Sequence, residues 1–157
     1  MDPRRLDRGE VVAIIGGILL GVSLLLAWYS LGNQFTTLGR CHGMAHRSVA
    51  CSGWRSLELV LRIIVILAAV APLILAWIIA RGHALSWPRG ELTAVVALAA
   101  LTLVIFVGLI DKPGFPNSEI SVNYGWGLAL VGGLMILVGS VWRSQESAGR
   151  RKPPGVL

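Results

Sequence analysis

Four long apolar segments constrain this chain more than any other feature of its sequence. They cover residues 11–29, 57–80, 92–110 and 124–142. A helix of about 20 residues, rising about 1.5 Å per residue, crosses the hydrocarbon core of a bilayer. Each segment is therefore long enough to cross a membrane as a helix. Sequence windows of about 10 residues show no alternation of apolar and polar residues of the kind that a transmembrane β-barrel needs.

The composition agrees with lipid as the solvent for these segments. Of the 157 residues, 55% are hydrophobic and 14% are charged, and the mean hydropathy is +0.72. Soluble domains carry about 25% charged residues, and a chain of this length cannot bury so much apolar surface by itself. We predict an all-α membrane protein, a single domain over residues 1–157 in which four transmembrane helices form a bundle. Its longest connection, residues 30–56, is called the outer segment below.

The basic residues predict how the helices are oriented. Cytoplasmic segments carry an excess of Lys and Arg. With the amino terminus inside, the larger set lies in the cytoplasm: Arg4, Arg5, Arg8, Arg81, Arg89, Arg143, Arg150, Arg151 and Lys152. The smaller set then lies outside: Arg40, Arg47, Arg55, Arg62 and Lys112. The prediction is a multi-pass protein of the cell membrane with both termini in the cytoplasm and a basic, disordered tail over residues 143–157.

The net charge of +6 does not predict binding to nucleic acid. That function needs a basic face on a soluble domain, whereas these basic residues flank apolar segments, where they contact anionic headgroups. The aromatic residues support the same boundaries, because Trp and Tyr favour the interface. Trp28, Tyr29, Trp54, Tyr124 and Trp126 are predicted at the outer interface, and Trp77, Trp87 and Trp142 at the inner one.

Small residues predict where the helices contact each other. Ala13, Gly17 and Gly21 follow one another at four-residue steps in the first segment, and Gly125, Ala129 and Gly133 do so in the fourth. Such stripes allow close approach of helix backbones in lipid. We interpret them as contact faces inside the bundle, with homodimer seams as the alternative.

The two cysteines, Cys41 and Cys51, both lie in the outer segment. Disulfides persist outside the cytoplasm, so we predict a structural bridge between them. An alternative is a metal site formed by these cysteines with His42 and His46, although the spacing matches no common zinc template. Free or redox-active thiols are a third interpretation, but no Cys-x-x-Cys pair is present. No cofactor is predicted.

Four charged residues form a candidate binding or inter-helix cluster: Arg55, Glu58, Arg62 and Asp111. The first three share one helical face, and Glu58 precedes Arg62 by the four residues that favour an ion pair. A contact between Arg62 and Asp111 would join two helices. The cluster is interpreted as a structural clamp or, alternatively, as a binding or ion-entry site open to the outside.

Short motifs near the segment ends carry a resemblance to a known family. The motifs are Ala27-Trp28-Tyr29-Ser30, Ser52-Gly53-Trp54, Leu109-Ile110-Asp111 and Tyr124-Gly125-Trp126. Together they resemble small four-helix membrane proteins that are numerous in actinobacteria and have no established activity. The resemblance implies a topology and a host, not a chemistry. The layout is also similar to that of the claudin group, although Leu38-Gly39-Arg40 replaces the Gly-Leu-Trp that this group has before its first cysteine.

These features favour a non-enzymatic protein whose disulfide-braced outer segment binds another membrane or envelope component. The first alternative is a small transporter or channel subunit, with a path lined by Thr102 that reaches Arg62 and Asp111. The second alternative is a thiol or metal-dependent membrane enzyme at Cys41 and Cys51. The expected partners are the lipid bilayer and a membrane or envelope protein, with a homo-oligomer as an alternative assembly.

Overall fold

The computed structural model describes residues 7–32, 35–81 and 91–149. The chain is mostly helical and adds short strands between the helices. Its helices are α1 (Arg8–Ser23), α2 (Gly53–Ser56), α3 (Leu59–Ala80), α4 (Glu91–Ile105) and α5 (Tyr124–Gly149). A π-helical turn, Phe106–Ile110, continues α4, and a 3-10 turn, Asn117–Glu119, precedes the last strand.

In the described part of the chain, three helices are long and apolar enough to cross a membrane. They are Leu59–Ala80, Glu91–Ile110 and Tyr124–Gln145. These correspond to the second, third and fourth predicted segments, so the prediction of helices long and apolar enough to cross a membrane is confirmed for three of them. Loop residues 82–90, with the predicted interfacial Trp87, and the basic Arg4, Arg5, Arg150, Arg151 and Lys152 lie outside the described residues.

The first predicted segment ends earlier as a helix than expected. α1 stops at Ser23, and the chain then turns into strand β1, Ala27–Leu31, instead of remaining helical to Tyr29. Residues from α2 form hydrogen bonds with the backbone carbonyl groups that follow this helix end. Trp54 and Gly53 donate backbone N–H groups to the carbonyl oxygens of Leu24 and Leu26. Sixteen helical residues span about 24 Å, less than the thickness of a typical hydrocarbon core.

The last helix ends later than expected. The sequence predicted a helix to residue 142 followed by a disordered tail, but α5 continues to Gly149. Arg143 explains part of this extension, because it is buried against the start of α1 instead of lying in solvent. The rest of the predicted tail, residues 150–157, is outside the described residues.

The outer segment, expected to be a loop, contributes one strand and part of another to a small antiparallel sheet. β1 lies between β4 (Val49–Ser52) and β5 (Ile120–Val122), and it pairs antiparallel with both. A separate hairpin joins β2 (Thr37–Leu38) to β3 (Cys41–His42). Strands β1–β4 lie between α1 and α2, and β5 directly precedes α5. The strands therefore lie at one end of the helices, which we call the sheet end.

Glycines bring the helices into close contact, though partly by faces other than the predicted ones. α1 packs against α5 and α3, and α4 also packs against both. A Cβ atom on Gly16 would lie 2.7 Å from the carbonyl oxygen of Gly132 in α5. Gly17, the next residue, faces α3, where a Cβ would lie 2.8 Å from Pro72. Adjacent glycines of α1 thus serve two neighbours, because successive residues point about 100° apart around a helix.

The same division holds in α5. Gly132 and Gly139 meet α1, whereas Gly133 meets Leu101 of α4. Gly125, at the start of the helix, packs against the backbone of Ala27 and the ring of Trp28. The predicted stripe through Gly125 and Gly133 therefore contacts two different elements, β1 and α4, instead of one partner helix.

Candidate functional site

A disulfide holds the outer segment together. The Cα atoms of Cys41 in β3 and Cys51 in β4 lie 6.0 Å apart, and their sulfur atoms are bonded. The bridge connects the β2–β3 hairpin to the three-stranded sheet. Both cysteines are buried in the same apolar core as Leu31, Leu38 and Ile120. The outer segment is thus a small folded unit with its own core.

Trp28 and Tyr29 belong to this core and do not form an exposed interfacial belt. Both side chains are fully buried, contrary to the predicted position of these rings at the lipid–water boundary. The indole Nε1 of Trp28 donates a hydrogen bond of 2.7 Å to the Ser23 carbonyl oxygen, at the last residue of α1. The ring also covers Gly53, where a Cβ would lie 2.7 Å from it. Trp28 therefore closes the end of α1.

Two aromatic donors, the buried Tyr29 and the half-buried Trp126, hold the π-helical end of α4. The Tyr29 hydroxyl donates to the Val107 carbonyl oxygen over 2.9 Å, and the Trp126 indole donates to the Val104 carbonyl oxygen over 2.7 Å. A π-helical turn shifts the backbone bonding pattern and leaves carbonyl groups to be satisfied from elsewhere. Burial raises the pKa of the Tyr29 phenol above its usual value, so the hydroxyl stays protonated and remains a donor.

The four predicted charged residues lie at the sheet end but do not form an ion-paired cluster. Arg55, Glu58 and Asp111 are exposed, and Arg62 is half-buried. The described residues give neither a Glu58–Arg62 nor an Arg62–Asp111 ion pair. Instead, the Arg62 Nη2 atom donates to the Leu57 carbonyl oxygen over 2.9 Å. Its Cζ atom lies 4.7 Å from the centre of the Trp54 ring, which is a cation–π distance.

The metal and transport alternatives gain no support from the positions of their residues. Cys41 and Cys51 are joined by the disulfide, so neither offers a thiolate to a metal, and His42 and His46 are exposed. Within the described ranges, no three His, Cys, Asp or Glu side chains come together as metal ligands. Thr102, the proposed lining of a path, is exposed on α4 and donates to the carbonyl oxygen of Leu98 in its own helix.

The sequence did not predict that three exposed apolar side chains would lie close together at the sheet end. Phe35 is 72% exposed, Met44 58% and Phe115 77%. Their backbone segments are neighbours, because Thr37 and Phe115 exchange two 3.0 Å hydrogen bonds and Gly43 donates to Thr36 over 2.8 Å. We call these three residues the apolar tip. Phe115 is distant in sequence from the other two, so only the folded chain brings them together.

Two of the three tip residues, Phe35 and Met44, belong to a basic stretch of the chain, whereas the segment of Phe115 also carries the exposed Asp111 and Glu119. Residues 30–57 include Arg40, Arg47 and Arg55 and contain no acidic residue, and all three arginines are exposed. The sequence therefore contained an indication of this surface, because the basic segment without acidic residues includes the large apolar residues Phe35 and Met44. It could not be interpreted without the strands that bury the other apolar residues of the segment.

A second group that sequence reasoning missed lies at the opposite end of the helices. Glu10 of α1 is 4% exposed and Arg143 of α5 is 3% exposed. The charges of Glu10 and Asp7 act on Arg143, and the Glu10 carboxylate also accepts a 3.2 Å hydrogen bond from the Asp7 backbone. The sequence predicts Arg143 in the polar tail. Its burial beside opposite charge makes it a structural group.

Comparison of the chain with protein-family models, with curated proteins and with solved structures gives no match.

Proposed function

We propose that the chain crosses a cell membrane four times, as a helical bundle, and acts as a non-enzymatic interaction protein through its sheet end. In this proposal α1 and residues 24–26 cross together with α3, α4 and α5, and both termini lie in the cytoplasm. The sheet end then faces the outside. The excess of basic residues at the other end and the disulfide at this end support that orientation.

The observation that carries the function is the apolar tip. Phe35, Met44 and Phe115 are exposed although a buried core lies beside them. Exposed apolar groups that cluster on a folded surface mark interaction sites. The disulfide and the sheet hold their backbone in place before binding, which lowers the entropic cost of association. A rigid, braced unit that presents large apolar side chains is suited to binding another protein.

The charge around the tip indicates the chemistry of the partner. Arg40, Arg47 and Arg55 are exposed in a stretch without acid, residues 30–57, while Asp111 and Glu119 are the exposed acids of the Phe115 segment. The three arginines complement an acidic surface. The proposed partner is a membrane or envelope protein with an apolar patch beside acidic residues. A second copy of the chain is a poorer fit at this surface, because two such tips would bring positive charges together.

Photo-crosslinking tests the proposal. Benzoylphenylalanine is placed at Phe115, and a matched control carries it at Phe106, an exposed phenylalanine of the π-helical turn. We expect a discrete protein adduct from position 115 in intact cells, and no protein adduct from position 106. In a second experiment the crosslinker is placed at position 35. The adduct yield should then fall when Phe115→Glu is added. It should not fall with Ala50→Glu, which adds the same charge at an exposed position of β4.

Several outcomes would contradict the proposal. If position 115 gives no protein adduct at any expression level, a protein partner at the tip is excluded. An adduct of the chain with itself would show a homo-oligomer instead. The orientation is tested separately, because Cys41 and Cys51 are the only cysteines of the chain. After reduction in intact cells, a thiol reagent that cannot enter the cytoplasm should label both.

A further inference from the structure

Arg62 places a positive charge on the lipid-facing part of α3. It lies near the start of Leu59–Ala80, one of the helices that are long and apolar enough to cross a membrane. The apolar residues around it, Leu59, Val60 and Ile63, are exposed. A charge among lipid-facing side chains is costly unless something compensates it.

The protein compensates this charge only in part. Of the nitrogen atoms of the guanidinium, Nη2 donates to the Leu57 carbonyl oxygen over 2.9 Å, while Nε is buried and has no hydrogen-bond partner. Trp54 offers the face of its ring at 4.7 Å. The nearest predicted counter-charges, Glu58 and Asp111, are exposed and form no ion pair with it. The fold therefore leaves Arg62 with a positive charge that no acidic side chain neutralises. Because Nε is enclosed, a ligand can reach this charge only through the terminal nitrogens.

A phosphate group, the anion common to phospholipid headgroups, fits this environment. The planar guanidinium matches the spacing of phosphate oxygens, and a charge-assisted hydrogen bond is stronger than a neutral one. Trp54 is 45% exposed, and an indole ring favours the headgroup level. Arg55 is exposed next to it and adds a second positive charge.

We propose that Arg62 and Trp54, assisted by Arg55, form a binding site for the phosphodiester of a phospholipid. The terminal nitrogens of Arg62 hold the phosphate, Trp54 packs beside the headgroup, and the exposed Leu59 and Ile63 contact the acyl chains. The inference rests on the membrane placement proposed above. It does not depend on the partner of the apolar tip.

The other end of α3 provides a matched control. Arg81 stacks its Cζ atom 4.4 Å from the centre of the Trp77 ring, so both ends of the helix carry an Arg–Trp pair. Arg81 is exposed, whereas the Nε atom of Arg62 is enclosed and unsatisfied. Removal of either arginine changes the charge equally, but only one variant removes the proposed site.

Native mass spectrometry of the purified full chain in mild detergent tests the site. The protein is titrated with phosphatidylglycerol and, separately, with a diacylglycerol that has the same chains without the phosphate. We expect phosphatidylglycerol to bind more tightly, and Arg62→Gln to weaken its binding by about fivefold. Arg81→Gln should leave it unchanged within about twofold. Arg62→Lys, which keeps the charge but loses the planar fork, should fall between wild type and Arg62→Gln.

Arg62→Lys also serves if Arg62→Gln does not fold, as judged by helical circular dichroism. Equal binding by Arg62→Gln and wild type would overturn the site, as would an equal loss in Arg81→Gln or equal binding of the diacylglycerol. Displacement of phosphatidylglycerol by inorganic phosphate at the same concentration would overturn the lipid as its source. Because only purified protein and lipid are present, failure of the crosslinking experiment at Phe115 leaves this result unaffected.

Discussion

The two ends of the α1–α5 pair satisfy their polar groups in different ways. At the sheet end, neutral groups close the ends of α1 and α4: the Trp28 indole donates to the end of α1, and the Tyr29 hydroxyl donates to the π-helical turn after α4. At the opposite end, the buried Glu10 and Arg143 bring charges together. Neutral hydrogen bonds each contribute modestly to stability, whereas a buried charge that loses its partner is strongly destabilising.

This difference separates two roles. The sheet end spreads its stability over a disulfide, an antiparallel sheet and several hydrogen bonds, so it can present an exposed surface without relying on one contact. At the opposite end, where α1 begins and α5 ends, stability depends more on two buried charged residues, Glu10 and Arg143. The predictions below test this contrast, in order of decreasing expected effect.

The largest effect is expected at the opposite end. Arg143→Met would leave Glu10 buried without its positive neighbour, so we expect the free energy of unfolding to fall by about 3–5 kcal/mol. The measurement is unfolding in mixed micelles followed by circular dichroism. The double variant with Glu10→Gln should recover most of the loss, because it removes the uncompensated charge as well.

Arg8→Met is the control for this variant. Arg8 lies at the same end but is exposed, so its loss should change the free energy of unfolding by no more than about 0.5 kcal/mol. Equal effects of Arg143→Met and Arg8→Met would show that the buried charges do not distinguish this end.

The next effect is expected from the disulfide. Replacing Cys41 and Cys51 by serine should lower the stability of the sheet end by about 2–3 kcal/mol, because the unfolded segment gains freedom. Limited proteolysis should then cut residues 35–52 faster, while cleavage near Glu10 and Arg143 stays unchanged. Reductant should have the same effect on the wild-type chain and none on the double variant. Faster cleavage at both ends would contradict the separation of the two regions.

The close contact between α1 and α5 gives a smaller expected effect. In Gly16→Ala the new methyl group would lie within 2.8 Å of three atoms of α5, so the helices must move apart, at about 1–3 kcal/mol of stability. Gly127→Ala is the matched control, since nothing lies within 4 Å of its Cβ position. That change should be neutral or stabilising, because alanine favours a helix over glycine. If both variants lose the same stability, close packing is not the cause.

The smallest effect is expected from a single neutral hydrogen bond at the sheet end. Tyr29→Phe removes the 2.9 Å bond to the Val107 carbonyl oxygen and should cost about 0.5–1.5 kcal/mol. Tyr124→Phe removes the same hydroxyl at an exposed position and should have little effect. A loss in Tyr29→Phe as large as that in Arg143→Met would remove the contrast between the two ends.

The sequence predicted the apolar helices well because hydropathy is a local property. Three segments became helices that are long enough to cross a membrane, with boundaries near the predicted ones. The first segment was overextended, since Leu24, Leu25 and Leu26 are as apolar as the helix before them. Nothing in that run shows that β1 will pair with β4 and β5.

The candidate site was predicted less well, for a related reason. The sequence placed Cys41 and Cys51 in one segment and singled out Arg62, but it paired Arg62 with Glu58 and Asp111. In the structure, Leu57 and Trp54 contact Arg62 instead. Such contacts depend on side-chain directions around α2 and the start of α3. Residue spacing along an assumed continuous helix cannot give those directions.

The sequence by itself determined where apolar helices form and how their basic ends are distributed, because both depend only on the residues in each segment. Tertiary structure decided that Trp28 and Tyr29 are buried, that Arg143 meets Glu10, and that Phe115 joins Phe35 and Met44 at one surface. These outcomes depend on pairing between residues far apart in the chain. The residues of each pair contribute interaction free energy only when folding has brought them into contact.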